Sequence, residues 1–167
     1  MDRNRFGPQS NQFERNSEFD EKIVQVNRVS KKTKGGNKIG FSVLTVVGDK
    51  KGRVGVGLGK APDVASAIRK GVSIAKKHMI DVPIIEGTIP FEYYIKLGAA
   101  KILLKPAPKG SGVIAGGAVR SVVSAAGIQN ISSKVLGTKN QASNVYATLE
   151  ALKRLAERHH RAKGGGR

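Results

Sequence analysis

The sequence predicts an α+β protein built in two parts. Runs of β-branched residues punctuated by glycine turns lead into a helical pattern. That sequence of events occurs twice, with a break near Asp81-Val82-Pro83. Charge is the third observation. Lys and Arg number 30 against 12 Asp and Glu, a formal net charge of +18 on 167 residues. Solubility alone does not need that much charge, so a polyanionic partner is the default explanation.

Residues 1–20 carry more acidic than basic side chains and are rich in Asn, Gln and Ser, the composition of a mobile arm. From Lys22, the residues Ile23, Val24, Val26 and Val29 read as a strand, closed by the turn signal Lys34-Gly35-Gly36-Asn37. A second strand spans Ile39 to Val47, and Gly48-Asp49-Lys50-Lys51-Gly52 connects it to a third at Arg53 to Leu58. Glycines at 55 and 57 mark close approach of neighbouring backbone. Pro62 opens a helix in its first turn, with Val64, Ala65, Ile68, Val72 and Ala75 at helical spacing.

The second part begins with a strand expected over Ile84–Ile95 and another over Lys101–Lys105, followed by the rigid connector Pro106-Ala107-Pro108. A small-residue helix covers Ala118 to Ala126 and stops at Gly127. A strand follows at Ile131–Leu136. A last helix, about Ala142 to His159, places Val145, Leu149, Leu152 and Leu155 on one face. The expected division is an arm at 1–20, a first domain at 21–83, a second at 84–160 and a basic tail at 161–167, with Gly164 to Arg167 frayed.

The absence of Cys excludes disulfide scaffolds, thiolate metal sites and a thiol nucleophile. No apolar run approaches the ~18 residues a membrane span needs, and Met1-Asp2-Arg3-Asn4-Arg5 leads into no signal core. A soluble, cytoplasmic protein with no membrane partner is expected.

Gly55-Val56-Gly57-Leu58-Gly59-Lys60 fails as a phosphate loop. Val54 stands where the first glycine belongs, Ala61 replaces the Ser or Thr, and Lys60 occupies the third glycine of a dinucleotide fingerprint. These glycines fit a strand lying close against RNA backbone or another strand. Gly110 to Gly117 precedes a helix and could form an anion nest, although close chain packing explains it better. His78, His159 and His160 lack catalytic partners, and the pair at 159–160 reads as solvated. No catalytic residue, metal or cofactor is expected.

The sharpest signal is residues 28–38. Arg28, Lys31, Lys32, Lys34 and Lys38 crowd eleven residues with no acid among them. Held by flanking strands, such a loop forms a finger that fits between phosphate backbones. Aromatics are 5% and Trp is absent, so backbone and shape recognition of folded RNA fits better than base stacking on an aromatic sheet.

Val26-Asn27-Arg28-Val29-Ser30-Lys31, Lys34-Gly35-Gly36, Val46-Val47-Gly48-Asp49, Gly52-Arg53-Val54-Gly55, Gly59-Lys60-Ala61, Lys105-Pro106-Ala107 and Gly112-Val113-Ile114-Ala115-Gly116-Gly117-Ala118-Val119-Arg120 occur in that order. Together they resemble the bacterial small-subunit ribosomal protein five family over about residues 20–155. The resemblance implies an N-terminal module similar to a double-stranded-RNA-binding domain without its first helix, a three-stranded sheet plus helix. It implies a C-terminal α/β domain of the family's own second-domain fold, used without catalysis. The implied rRNA-binding set is Asn27, Arg28, Ser30, Lys31, Lys32, Lys34, Gly35, Gly36, Lys38, Arg53 and Lys60. Val29, Ser30 and Lys31 would lie by the spectinomycin site, and Gly112, Gly116, Gly117 and Arg120 at a protein interface. Implied partners are 16S rRNA, small-subunit proteins four and eight, and mRNA where it enters the subunit, with no homo-oligomer. The implied role is structural: steadying head against body and supporting decoding accuracy. Phe91, Gln141-Ala142, Tyr146 and Val56 depart from the family's usual His, Asn-Pro, Arg and Phe.

Two other classes compete. A free-standing RNA-binding regulator shares the charge but has no use for the Gly112–Arg120 surface. A phosphotransferase needs acidic metal ligands, yet Lys96 to Lys139 contains no Asp or Glu.

Overall fold

The computed structural model describes residues 18–164. The arm expected at 1–20 therefore lies outside the described residues except for 18–20, as do residues 165–167 of the tail. Strands β1 (Asp20–Thr33), β2 (Gly36–Gly48), β3 (Arg53–Ala61) and β4 (Ile80–Asp81) form one antiparallel sheet in chain order. The expected meander is present, with β4 added as a two-residue edge beside Arg53 and Val54.

The β1–β2 ladder runs unbroken from the tip pair Thr33↔Gly36 to Gln25↔Leu44, then shifts register before Ile23↔Thr45. Residues 28–38 are thus not a loop. They are the end of a β-hairpin closed by the two-residue turn Lys34-Gly35, with Gly36 at φ 131 and the Thr33 hydroxyl donating to the Gly36 carbonyl at 3.0 Å. The β-branched Val29 and Thr33 favour extended backbone, which prolongs the strand past the point where charge density suggests a loop.

Helix α1 (Val64–Lys77) starts two residues later than Pro62 implies. Asp63 is its N-cap, accepting from the Ser66 amide at 2.8 Å, and Pro62 precedes the cap. The helix lies in a groove made by Gly55, Gly57 and Gly59, whose missing side chains leave room for the carbonyls of Ala75, Gly71 and Ala67. Those three carbonyls recur every four residues, one per helical turn, while the glycines recur every two along the strand. The close neighbour of this strand is therefore helix backbone, not RNA and not another strand.

The opposite face of β3 carries Val54 and Val56, which join Leu44 and Val46 of β2 in a core shared with the second half of the chain. Residues 42–48 are consequently buried without alternation. Each such fully buried aliphatic side chain contributes roughly 1.5–3 kcal/mol.

The second sheet has the order β5-β6-β8-β7, from β5 (Tyr93–Leu97), β6 (Ala100–Pro106), β7 (Val113–Ile114) and β8 (Ile131–Val135). Only β7–β8 is parallel, and α2 (Gly117–Ala126) makes its crossover before stopping at Gly127, φ +91. The strand expected over Ile84–Ile95 is displaced toward its C-terminal end. Ile85 and Thr88 bond each other across a tight turn at Glu86 (φ 50) and Gly87 (φ 79), which breaks the run. Helix α3 (Gln141–Gly164) continues beyond the expected His159, because Arg161, Ala162 and Lys163 favour helix.

Helix α2 packs on the first sheet. The amides of Lys50 and Gly52 donate to the carbonyls of Ala125 (3.0 Å) and Ala126 (2.9 Å), and the space at Gly48 and Gly127 is taken by Ala125 and Lys50 backbone. The sheet of the first half is thus covered on one face by α1 and on the other by elements of the second half.

Candidate nucleic-acid interface

Strand β3 pairs with β2 only as far as Phe41, so the hairpin from Gly40 to its tip projects as a two-stranded ribbon of about 17 Å. Every residue from 27 to 39 is exposed. The ladder sets Lys31 directly opposite Lys38, and Lys32 opposite Asn37. Like charges facing across a ladder destabilise it, so this pairing is favourable only when an anion lies between the two ammonium groups. Arg28 faces Phe41 at the root of the ribbon, and Ser30 faces Ile39.

Lys60, on the last part of β3, closes the arrangement. Lys31, Lys38 and Lys60 surround a groove of about 410 Å³ whose apolar lining includes Val29, Phe41, Ala61 and Pro62. Three cations above an apolar floor suit a sugar–phosphate segment. The structure thus gathers Ser30, Lys31, Lys38 and Lys60 of the expected set. It leaves Lys34 and Gly35 at the tip with Gly36 beside them, and Asn27 at the root, where its Oδ1 accepts from Gln25 at 3.1 Å.

Arg53 does not belong with them. It sits at the other end of β2, about 40 Å along the ribbon from the tip. Its Nε donates to Asp49 at 2.7 Å and its guanidinium lies 5.5 Å over the Phe19 ring. Asp49 also accepts from the amides of Lys51 (2.7 Å) and Arg53 (3.0 Å), which locks the β2–β3 turn.

Burial of the Asp49 carboxyl pushes its pKa up, but the hydrogen bonds from Arg53 and from the two amides outweigh burial and hold it below its ordinary value. A depressed folded-state pKa contributes stability that is present above the unfolded value of about 3.9 and lost as pH falls through the folded value. Asp49→Asn is therefore expected to melt below the wild type at pH 7, with the gap narrowing toward pH 3. Thermal melts at both pH values check this, and a constant gap contradicts it.

The second glycine-rich segment holds no empty nest. The amides of Gly110 and Gly112, at φ +94 and +70, both donate to Oδ1 of the buried Asn130, at 3.0 and 3.2 Å. Asn130 fills the place an anion would take, and sequence reading missed it. Its one signal is a lone Asn just ahead of a strand of apolar and hydroxyl residues. Arg120 is exposed and donates to the Val113 carbonyl at 3.2 Å, which ties α2 to β7. Gly116 caps α2, and a Cβ at Gly117 meets nothing within 4 Å. Ile114, 57% exposed, stands beside them.

His159 is half-buried rather than solvated, its ring 6.1 Å from that of Phe91, over which Arg158 stacks at 5.5 Å. Among the described residues no group of three His, Asp or Glu could hold a metal, and no helix is long and apolar enough to cross a membrane.

A basic hairpin on a doubly covered sheet defines a protein shaped to lie against a structured polyanion. Residues 19–83 match the family of the ribosomal protein S5 N-terminal domain, and residues 95–164 that of the ribosomal protein S5 C-terminal domain. The small ribosomal subunit proteins uS5 of Thermotoga maritima, Thermotoga petrophila and Thermotoga neapolitana are each 51% identical to the chain over 146 residues. That is 87% of this chain and 82% of each relative. The chain belongs to the ribosomal protein S5 family.

Proposed function

We infer that this chain is a structural, non-catalytic constituent of the small ribosomal subunit that binds 16S rRNA by backbone and shape contacts. The observation that carries the reading is the hairpin from Arg28 to Lys38, exposed throughout and set with opposed lysines. The proposed contact set is the expected one, with Arg53 lying apart from the hairpin at the other end of β2, where it pairs with Asp49. Co-sedimentation of the tagged chain with small subunits tests it. A chain that stays free in solution while still binding RNA is instead a regulator.

Family membership supports finer assignments: a cytoplasmic location, a division near residue 84, neighbours in small-subunit proteins four and eight, and a place near the path by which mRNA enters. We place the protein-four contact on Gly112, Gly116, Gly117 and Arg120. In its favour, Gly117 has no internal steric reason to be glycine, which suits close approach from outside. Arg120→Leu is expected to weaken this contact and alter translational error rate with little change in melting temperature. An unaltered error rate in a normally folded variant removes Arg120 from the interface.

The stretch Val29 to Lys31 sits in β1, so deleting Lys31 shifts the pairing register by one and turns the tip residues to the opposite face. We propose that this re-aims the tip lysines beside the spectinomycin site. Head movement is then biased by an energy on the order of 1 kcal/mol. Lower spectinomycin sensitivity with normal subunit assembly is the expected outcome. Unchanged inhibition with normal assembly refutes it, and failed assembly makes the hairpin a primary anchor.

A further inference from the structure

The end of the first sheet opposite the hairpin tip carries a second basic surface. Lys50 and Lys51 project from the β2–β3 turn, and Lys109 comes from the loop between β6 and β7, in the other half of the chain. With Glu86, Gln129 and Gly127 they line an open pocket of about 750 Å³ at the seam between the halves. Among the described residues, Lys50 is the one lysine of the three in a salt bridge, to Asp20 at 3.3 Å. Three ammonium groups stand against the carboxylate of Glu86 and that of Asp20 bound to Lys50, which leaves an excess of one positive charge.

We propose that this seam pocket is a second RNA-backbone site, one that exists only while the two halves are docked. The inference rests on the reading of the chain as an RNA-binding protein, but the residues are different ones.

Three features argue for RNA over an acidic protein. The lysines come from separate segments and converge on a concave surface, which suits the spaced phosphates of a strand more than a flat protein epitope. Gln129 is exposed and supplies amide donors and an acceptor for ribose hydroxyls. The only large apolar side chain lining the pocket is Ile84, half-buried, whereas protein interfaces centre on exposed apolar or aromatic anchors.

The fold fixes the geometry of the site. Lys50 stands at φ 58, its amide bonded to Ala125 of α2. Gly52 bonds to Ala126, and Gly127 has no room for a side chain beside the Lys50 backbone. The turn that presents Lys50 and Lys51 is therefore fastened to the half that presents Lys109. Since the site needs lysines from both halves, an RNA strand bound there favours the docked arrangement over any loosened one. The seam lies about 40 Å along the ribbon from the hairpin tip, too far for one phosphate group to engage both.

The test uses the full chain and a 16-base-pair RNA duplex of arbitrary sequence. With Lys31, Lys32 and Lys34 all changed to Gln, residual duplex binding at 50 mM salt should remain measurable. Adding Lys51→Gln and Lys109→Gln should lower it by about a hundredfold or more, as expected when two phosphates are no longer neutralised at low salt. The same background with Lys96→Gln and Lys153→Gln, an equal reduction of charge elsewhere, should weaken by less than about threefold. Glu86→Gln, which removes the opposing charge, should tighten residual binding. If the seam pair costs no more than the control pair, the RNA site is refuted, and the pocket is then open to an acidic protein surface instead. If the hairpin triple leaves wild-type binding intact, the reading of the hairpin fails and not the seam site.

Discussion

Gly57→Ala is expected to destabilise the protein by more than about 3 kcal/mol, at or beyond the upper end of ordinary overpacking. A Cβ built at Gly57 falls far inside contact distance of the Gly71 carbonyl oxygen and lies 2.7 Å from the Ala75 amide nitrogen. Both obstacles are helix backbone, so no rotamer change relieves them, and α1 must lift off β3. Lifting also separates Gly55 and Gly59 from the same helix, because one rigid helix rests on all three glycines. A domain of ordinary stability, about 5–15 kcal/mol, is left marginal by such a loss. Gly117→Ala is the matched control. Its Cβ meets nothing within 4 Å, and alanine in the first turn of α2 should raise stability by up to about 1 kcal/mol. Urea unfolding of both variants decides the matter. Equal midpoints would show that the α1–β3 groove tolerates widening and that the glycines serve some other purpose.

The glycines of β3 also show where sequence reading stops. Their spacing announces close approach, and Val54 and Ala61 are enough to reject a phosphate loop. What approaches them is a tertiary fact, and helix α1 rather than RNA occupies the groove. The uniform burial of residues 42–48 is of the same kind, because it needs α2 on the second face of the sheet. The meander, α1, and the stop of α2 at Gly127 were legible from local turn chemistry and periodicity. The turn at Glu86-Gly87 was not, since Glu is no usual donor of positive φ. At the site, the charge of residues 28–38 marked the right segment but suggested a loop. Residues that act by holding others, Asp49 on Arg53 and Asn130 on Gly110 and Gly112, carry no pattern in the chain, because their partners are assembled by folding.

Changing Lys31, Lys32 and Lys34 together to Gln is expected to flatten the salt dependence of RNA binding by about one to three units of log–log slope. Each phosphate neutralised on a duplex contributes roughly −0.9, so the range corresponds to about one to three phosphates that the variant no longer neutralises. At 0.1 M salt that amounts to about tenfold in affinity for each phosphate. The fold should survive the change. All three side chains are exposed, and none lies in the core. Removing Lys31 from its place opposite Lys38 also relieves a like-charge pair, so the melting temperature should hold or rise slightly. Weaker binding together with a lower melting temperature would therefore point to damage to the fold rather than to missing phosphate neutralisation. The slope, measured by titration from about 50 to 200 mM salt, is the decisive quantity, because misfolded material lowers the active fraction without altering the slope of what still binds. An unchanged slope in a normally melting variant means that the ribbon does not carry the RNA, and the opposition of Lys31 and Lys38 would then be left without a ligand to justify it.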